Sequence, residues 1–491
     1  MSLLRPGLHI HLVGIGGIGL SAIARVLHGW GYLVSGSDQQ FTPLTEALAA
    51  EGITVSSGHS ASYVEGADLV IISSAIREDN PEVLEAQRQG LPVVKREQFL
   101  GELTVGKMTI AVAGTHGKTT TSAMIAWILS QAGLDPTFIV GGVLQNLGTN
   151  ARAGRGLHFV IEADEYDRAF LGLHPAVAVI TALEHDHPDC YPTLEEMKSA
   201  FSAFVEQVDV GGTLVVCGED PGSRELAEQA LDQGRSLETF GLDSAWDWWA
   251  QGVRLGNSAG FEVWRKDRQL GLCALQIPGR HNVLNALAAL AASHQAGVEF
   301  GVAAAALTRF RGTERRFEIK GTVAGVTVVD DYAHHPTEIQ ATLSAARLKY
   351  PGMQIWAVFQ PHTYSRTAVL IDEFAAAFGG ADHVLVTGIY AARESETLGV
   401  SGSDVVKRMD HSDARYVETL EGAAAVLLER VQAGEVVITM GAGDSYKIGE
   451  WLLKGLEMRE EVPPRDATTH RAGNGGPPSG LERIEMDRRG S

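Results

Sequence analysis

Cysteine is nearly absent from this sequence, which has only Cys190, Cys217 and Cys273 in 491 residues. Three scattered thiols make neither a disulfide framework nor the paired spacing of a zinc site. No apolar run approaches the roughly 18–20 residues that cross a bilayer. The first residues, MSLLRPGLHIHLVGIGG, lack the basic, apolar and small-residue order of a signal peptide. These absences predict a cytoplasmic protein without membrane insertion.

Positive charge is also scarce. The chain has 40 Lys and Arg against 60 Asp and Glu, a formal net charge of −20. DNA and anionic membranes require a basic face, so we expect no nucleic-acid partner. A local pocket can be positive on an acidic protein, and anionic small molecules therefore stay open as ligands.

Short apolar runs alternate with helical stretches along most of the chain. Many of these runs end in a polar cluster, as in HIHLVGIGGIG, MTIAVAGTHGKTTT, HFVIEADEYD and VTVVDDYAHHP. Continuous apolar strands between helices predict an α/β fold with mainly parallel sheets covered on both faces. Ligands of such sheets gather beyond the carboxyl ends of the strands, which is where the polar clusters occur.

The length suggests three domains at about 150 residues each. One boundary falls near GELTVGKM, residues 101–108, and another near FRGTERRFEIKG, residues 310–321. Beyond residue 457 the chain becomes rich in Pro, Gly and charge, with too little apolar surface to offset ordering entropy. We predict domains over 1–105, 106–316 and 317–457, and a disordered tail over 458–491.

The N-terminal glycines form a G-x-G-x-x-G motif from Gly14 to Gly19. The motif follows the strand HIHLV and opens a helix, and Asp38 ends the next strand about 20 residues on. This context predicts a turn that binds a pyrophosphate at a helix N-terminus. NAD and a UDP-sugar carry the same diphosphate, so an NAD-dependent dehydrogenase stays an alternative at this point.

A second glycine loop, GTHGKTT at Gly114–Thr120, lies between the strand MTIAV and a helical segment. It is shorter than the usual G-x-x-x-x-G-K-[ST] loop. It still offers consecutive backbone N–H groups, a lysine and a hydroxyl for Mg²⁺, and therefore predicts phosphate binding. The next two strands end in the clusters 162–167 and 184–187, whose carboxylates are candidate Mg²⁺ ligands. Position alone does not say which of them bind.

Seven motifs, GTHGKTT, EADEYD, EHDHPDCY, PGRHNVLNALAA, FRGTERRFE, DDYAHHPTEI and FQPHTYSRT, occur in the order seen in the Mur ligases. The chain resembles this family over roughly residues 8–455. The resemblance implies a Rossmann-like N-terminal domain, a central P-loop-type ATPase domain and a Rossmann-like C-terminal domain that closes on ATP. It also implies an ATP-dependent enzyme of peptidoglycan precursor synthesis. Phosphorylation of a carboxylate would precede attack of an amino acid's amine on the acyl phosphate.

The segment GIGGIGLSAIA, together with DDYAHHPTE and FQPHTYSRT, is similar to the branch that uses UDP-N-acetylmuramate and L-alanine. Two alternatives remain open: a ligase that recycles a murein tripeptide onto the same UDP-sugar, and a nucleotide-binding protein that has lost turnover. The preference among Ala, Gly and Ser and the oligomeric state, monomer or homodimer, also stay open.

The resemblance implies the following roles. Lys118, Glu162 and His187 are catalytic, and Thr119, Glu162 and His187 hold Mg²⁺, with Glu165 and His185 as alternative ligands. The ATP-binding residues are Gly114, Thr115, His116, Gly117, Lys118, Thr119, Thr120, Asn282, Asn285, Arg316 and Asp331. The UDP-sugar-binding residues are Gly14, Gly16, Gly17, Gly19 and Asp38, and the amino-acid-binding residues are Tyr332, His334 and Arg366. The simpler alternatives are linker salt bridges for Arg315 and Arg316 and a helix-capping or core role for His334 or His335.

Overall fold

The structure, a computed structural model, describes residues 3–461. Three sheets follow one another along this part, one within each of the three predicted segments. The α/β class and the three-domain architecture are confirmed, while the limits at 105 and 316 stay predictions. The last helix runs through Glu461, past the predicted start of the tail. The remainder of the tail prediction lies outside the described residues.

The N-terminal sheet has five parallel strands in the order β3-β2-β1-β4-β5, the doubly wound arrangement of nucleotide-binding folds. Its strands are β1 His9–Val13, β2 Leu33–Asp38, β3 Thr54–Ser57, β4 Leu69–Ile72 and β5 Val93–Lys95. Its helices are α1 Ile18–Gly29, α2 Pro43–Ala50, α3 Pro81–Gln89 and α4 Arg96–Thr104, with a 3₁₀ turn at Ala61–Val64.

The central sheet has ten strands in the order β15-β14-β13-β12-β11-β10-β6-β9-β7-β8. The strands are β6 Met108–Ala113, β7 Thr137–Leu144, β8 Thr149–Arg152, β9 His158–Glu162, β10 Val177–Ile180, β11 Thr213–Cys217, β12 Ser236–Gly241, β13 Trp248–Leu255, β14 Ala259–Arg265 and β15 Arg268–Leu275. The helices are α5 Lys118–Gln131, α6 Leu194–Glu206, α7 Pro221–Asp232, α8 Arg280–Gln295 and α9 Phe300–Thr308, with a 3₁₀ segment at Tyr166–Gly172.

The central strands β10 and β11 are buried along their whole length because helices cover both faces, which explains their unbroken apolar sequences. At one edge, β13, β14 and β15 form an antiparallel meander. At the other edge, β8 pairs antiparallel with β7. The expectation of mainly parallel sheets therefore holds for the middle of this sheet, and both edges differ from it.

The C-terminal sheet has six strands in the order β16-β17-β21-β18-β19-β20, of which only β16 is antiparallel to its neighbour. The strands are β16 Glu318–Val323, β17 Val326–Asp331, β18 Ile355–Phe359, β19 His383–Val386, β20 Ala414–Tyr416 and β21 Val436–Met440. The helices are α10 Pro336–Lys349, α11 Tyr364–Val369, α12 Ile371–Ala376, α13 Gly402–Arg408, α14 Leu420–Arg430 and α15 Tyr446–Glu461. None of the helices within residues 3–461 has the length and hydrophobicity of a membrane span.

The segments that carry the candidate site residues follow the carboxyl ends of the strands. The N-terminal glycines follow β1, and the GTHGKTT loop follows β6. The two acidic clusters follow β9 and β10, which lie on either side of β6. The DDYAHHPTE segment begins at the end of β17. Parallel neighbours end at the same sheet edge, so the loop and both clusters meet there.

Candidate active site

The N-terminal glycine loop is held tightly by the strand beside it. The backbone N–H groups of Gly14 and Ile15 donate to the carbonyl of Ser37 at 2.8 and 3.0 Å. The backbone N–H of Gly16 donates to Asp38 Oδ2 at 2.9 Å, and a Cβ at Gly16 would lie 2.8 Å from that oxygen. Asp38, predicted to bind the UDP-sugar, thus also fixes the loop. Gly17 and Gly19 line a cavity that reaches the other two domains.

The GTHGKTT loop needs both of its glycines. Gly114 and Gly117 have φ angles of 130° and 82°, which disfavour other residues. A Cβ at Gly117 would lie 2.5 Å from Asn285 Oδ1. The loop also rests on β10, because the Thr115 N–H donates to the carbonyl of Ala182 at 2.9 Å. The short loop is therefore a packed turn at the start of α5.

Lys118 lies at the centre of the loop. Its Nζ donates to the carbonyls of Gly114 and Thr115 at 2.5 and 3.2 Å, and to Glu165 Oε1 at 2.8 Å. Burial alone would lower the pKa of Lys118, but the carboxylates of Glu165 and Glu162 raise it above its usual value. The lysine is therefore a buried, fully charged ammonium.

Two carboxylates follow β9, and their environments differ. Burial raises the pKa of Glu162, whose oxygens accept from Thr119 Oγ1 at 3.0 Å and from the Gly141 N–H at 2.6 Å. Burial acts the same way on Glu165, but Lys118 and His187 outweigh it and lower its pKa. Glu165 Oε2 is buried and has no hydrogen-bond partner.

The two histidines after β10 have separate surroundings. His187 Nε2 lies 3.4 Å from Glu165 Oε1, and its ring meets the edge of Tyr166. His185 instead places Nε2 2.8 Å from the carbonyl of Tyr191. Among the predicted Mg²⁺ ligands, Thr119 and Glu162 are in direct contact, and His187 is connected to the loop through Glu165.

A first cavity of about 420 Å³ opens between the central and C-terminal sheets. It collects seven of the predicted ATP residues, namely His116, Gly117, Thr120, Asn282, Asn285, Arg316 and Asp331. Asn285 Nδ2 donates to Asn282 Oδ1 at 3.2 Å across one helix face. Burial raises the pKa of Asp331 to about 6, although it accepts the N–H groups of Phe317 and Ala333.

His116 connects the loop to the C-terminal domain. Its Nδ1 lies 3.2 Å from Glu338 Oε1 and its Nε2 lies 3.3 Å from Glu184 Oε2. Burial would lower the pKa of His116, but the two carboxylates raise it to about 9. The same Glu338 oxygen lies 3.7 Å from Arg316 Nη1, so Arg316 forms an interdomain cluster rather than an isolated linker salt bridge.

Replacing His116 with glutamine is expected to remove a pH-dependent part of the stability. The pKa in the folded protein, about 9, lies above the usual value of 6.5, so the ion pairs contribute fully below pH 6.5. Their contribution, on the order of 2–3 kcal/mol, is lost as the pH rises through 9. Thermal unfolding of both proteins from pH 6 to 10 checks this. Parallel curves for wild type and variant would contradict it.

Glu338 was missed as a site residue, although HHPTE carries a signal for it. The segment is a capping box with proline in the first turn, in which His335 caps α10 and Glu338 accepts the His335 N–H. The capping role of His335 was among the alternatives considered. The further contact of Glu338 with His116 joins residues 222 positions apart, which no local pattern encodes.

The described residues contain one group of three His, Cys, Asp or Glu side chains with ligand atoms within 4.8 Å of one another. It consists of His116, Glu184 and His335, and it differs from the predicted set of Thr119, Glu162 and His187. Its members already bridge the domain interface through Glu338 and Thr337. The predicted metal ligands stay a prediction.

A second cavity of about 350 Å³ lies where all three domains meet. It is lined by Gly17–Leu20 of the N-terminal domain, by Asp164, Tyr166 and His187 of the central domain, and by His362, Arg366 and Arg393 of the C-terminal domain. Arg366 pairs with Asp186 at 2.6 Å, and both side chains are less than 5% exposed. Arg366 Nη1 also lies 3.0 Å from His362 Nδ1.

The other two predicted amino-acid residues, His334 and Tyr332, have different neighbours. His334 meets the ring of His362 edge-on, with centroids 5.8 Å apart, so it belongs to the Arg366 cluster. Tyr332 packs under the guanidinium groups of Arg315 and Arg316 at 5.0 and 5.1 Å. The structure therefore brings Arg366 and His334 together and places Tyr332 towards the first cavity's arginine.

Fold and site together define a protein with a phosphate-type loop in which two further α/β domains contact the central one. Three family models together cover most of the chain: "Mur ligase family, catalytic domain" over 9–107, "Mur ligase middle domain" over 112–293, and "Mur ligase, glutamate ligase domain" over 315–443. The chain belongs to the Mur ligase family. The resemblance seen in the sequence motifs is confirmed, and the glycines at 14–19 belong to a Mur ligase domain rather than to a dehydrogenase.

Two relatives of this chain carry the same name. The chain is 40% identical over 474 residues to the UDP-N-acetylmuramate–L-alanine ligase of Roseiflexus castenholzii, covering 92% of this chain and 98% of that one. It is 45% identical over 453 residues to the ligase of that name from Pelobacter propionicus, covering 91% and 98%.

Two solved structures have the same fold as this chain. The UDP-N-acetylmuramate-alanine ligase of Thermotoga maritima matches with a TM-score of 0.77 and 30% identity, covering 93% of this chain and 100% of that one. A murein peptide ligase of Psychrobacter arcticus matches with a TM-score of 0.68 and 29% identity, covering 92% and 99%.

Proposed function

We propose that this protein joins L-alanine to the carboxylate of UDP-N-acetylmuramate in an ATP-dependent reaction of peptidoglycan precursor synthesis, in the cytoplasm. The observation that carries the proposal is the position of Glu165. Its Oε1 accepts from Lys118 of the phosphate loop at 2.8 Å and lies 3.4 Å from His187 of the second cavity. One carboxylate thus connects the phosphate loop to a residue of the second cavity, so that groups bound at the loop and in that cavity can be held close together.

The residues present fit MgATP. A cavity of about 420 Å³ is within the range of small-molecule sites, roughly 300–1,000 Å³. The Thr119 hydroxyl and the Glu162 carboxylate are hard oxygen ligands of the kind Mg²⁺ prefers. The unpartnered Oε2 of Glu165 offers a further acceptor beside them. When bound, MgATP supplies the phosphoryl group that turns the carboxylate into an acyl phosphate.

The protein's own groups account for the remaining steps. The Lys118 ammonium would stabilise the negative charge that develops on the transferred phosphoryl group. The amine of L-alanine then attacks the acyl carbon, the C–N bond forms, phosphate leaves and the amine loses a proton. Arg366 orients the amino acid through its carboxylate. Closure of the C-terminal domain brings Arg316 and Asp331 to the nucleotide and excludes water from the acyl phosphate.

The UDP-sugar binds at the N-terminal glycine loop. The first N–H groups of α1 have no carbonyl partners within the helix and carry the positive end of its dipole. Gly17 and Gly19 leave that helix start uncovered on the side of the second cavity. Asp38 keeps the loop in shape by accepting from Gly16. The diphosphate would thereby direct the muramoyl carboxylate towards Glu165 and Lys118.

Replacing Glu162 with alanine is expected to raise the Mg²⁺ concentration for half-maximal activity by about tenfold or more, because one of the few protein ligands is lost. A Mg²⁺ titration of phosphate release checks this. Glu195→Ala, at an exposed position on α6, serves as the control. An unchanged titration would transfer the role to Glu165.

Phosphate release from purified protein with MgATP and UDP-N-acetylmuramate, with and without L-alanine, tests the proposed function. Release that requires both substrates, with a product one alanyl residue heavier, supports it. Release with a murein tripeptide but not with L-alanine would move the function to recycling. No release with either amine from a folded protein that binds ATP would overturn the ligase assignment.

A further inference from the structure

Three arginines line the second cavity, and two of them are already paired. Arg96 Nη2 lies 3.2 Å from Asp164, and Arg366 Nη2 lies 2.6 Å from Asp186. No carboxylate oxygen within residues 3–461 lies within ion-pair distance of Arg393. Arg393 is therefore a cation without an ion-pair partner in the described part of the chain, in a cavity that Asp164, Asp189 and Glu394 also line.

The Arg393 guanidinium lies over the ring of Tyr166, 4.1 Å from its centroid. The Tyr166 hydroxyl donates to Asp189 Oδ2 at 2.9 Å, which holds the ring in place. A stacked guanidinium uses its face and keeps its N–H edges available, which suits planar recognition of a carboxylate. Arg393 is exposed, so those edges are accessible.

The next residue fixes Arg393 relative to Arg366. Glu394 accepts the N–H groups of Tyr364 and Ser365 at 2.5 and 3.1 Å, at the start of the helix that carries Arg366. Upstream, the Tyr390 ring stacks on His362, with an interplanar angle of 14°. The loop of Arg393 and the helix α11 of Arg366 therefore form one unit on the C-terminal domain.

We propose that Arg393 is a second binding group for the carboxylate of the amino-acid substrate, acting with Arg366. This inference rests on the proposed function. Arg366 and Asp186 together carry no net charge, so a carboxylate that approaches them gains hydrogen bonds but little net attraction. Arg393 adds to the same cavity a guanidinium that has no ion-pair partner among the described residues, and thereby selects substrates with a free α-carboxylate.

The amino acid is favoured over the UDP-sugar as the ligand of Arg393 by the placement of the three arginines. Arg96 packs closely against the N-terminal glycine loop, because a Cβ at Gly19 would lie 2.5 Å from its Nη1. Arg393 instead belongs to the C-terminal domain, which also carries Arg366. Arg96 is already paired with Asp164, whereas Arg393 has no ion-pair partner within residues 3–461 and lies on the domain that carries Arg366.

The test compares wild type, Arg393→Ala and Arg393→Lys with L-alanine and with L-alaninamide, which lacks the carboxylate. We expect Arg393→Ala to raise the KM for L-alanine about 10- to 100-fold, as for the loss of a charge-assisted hydrogen bond. The KM for ATP and for UDP-N-acetylmuramate should stay unchanged. Arg393→Lys should restore part of the affinity for L-alanine, because lysine keeps the positive charge but cannot form the two parallel hydrogen bonds of a guanidinium.

L-Alaninamide gives the sharper comparison. Wild type should prefer L-alanine strongly, and Arg393→Ala should lose about 10- to 100-fold of this preference while Arg366 retains the rest, since carboxylate and guanidinium act as a pair. Arg408→Ala, an exposed arginine paired with Asp372, is the matched control.

An unchanged KM for L-alanine in an active Arg393→Ala enzyme would overturn the inference and leave the proposed function standing. An increase confined to the KM for UDP-N-acetylmuramate would also overturn it, since Arg393 would then serve the other substrate. A wild-type protein without L-alanine-dependent phosphate release would instead reject the proposed function itself. Unchanged thermal unfolding of both variants shows that the kinetic changes arise at the site.

Discussion

Replacing Lys118 with alanine is expected to lower the turnover number by about 10³-fold or more. The buried Nζ of Lys118 is held by two loop carbonyls and by Glu165, so it is oriented before any nucleotide binds. A fixed charge of this kind stabilises the transition state without reorganising at the moment of reaction. Steady-state phosphate release with all three substrates saturating measures the effect.

The substitution also leaves the buried Glu165 carboxylate without its ammonium partner, which costs stability. The double variant Lys118→Ala/Glu165→Gln tests the stability effect by itself, because it removes the buried charge as well. We expect the double variant to unfold near the wild-type temperature and to remain inactive. Lys198→Ala, a partly exposed lysine on α6, controls for the loss of a lysine elsewhere. Near-normal turnover in Lys118→Ala would contradict the assignment of the phosphate loop.

Replacing Arg366 with methionine is expected to raise the KM for L-alanine by about 10²-fold or more and to destabilise the fold by about 3–5 kcal/mol. The reason for the second effect is the buried pair with Asp186, whose side chains are 3% and 4% exposed. Burial alone would raise the pKa of Asp186, but Arg366 and the nearby histidines hold it well below its usual range. Removal of Arg366 leaves that carboxylate in a site that cannot solvate it.

The double variant Arg366→Met/Asp186→Asn distinguishes the structural from the binding role. The asparagine can still accept the His187 N–H, which Asp186 Oδ1 now accepts at 2.7 Å. We expect thermal unfolding of the double variant to return towards wild type while the KM for L-alanine stays high. Recovery of both quantities would show that Arg366 acts only through the fold.

The fold was predictable to the extent that its signals are local. Apolar runs such as MTIAV and HFVIE predicted buried parallel strands, and the structure places them, as β6 and β9, in the interior of the middle sheet. The antiparallel meander at β13–β15 was not predicted. Its strands form a sheet edge, and alternation over such short segments does not specify the direction of pairing.

For the site, the sequence by itself determined the GTHGKTT loop and its glycines. The positive φ angles of Gly114 and Gly117 are properties of the local backbone, and the flanking strand and helix are recorded in adjacent residues. The ordered motifs likewise determined the family. The ligand roles of Glu162 and His187 stay predictions, since the sequence only named the strand ends from which they come.

Only the tertiary structure decided which charges meet. Glu165 bridges Lys118 and His187, His116 reaches Glu338 across 222 residues, and Arg366 reaches Asp186 across 180. The side chain of Arg393 came to lie over Tyr166 through the packing of two domains. Hydrophobic periodicity records which face of an element is buried, but it does not record the partner that covers that face. Contacts between domains depend on how whole sheets pack, and they therefore required the folded chain.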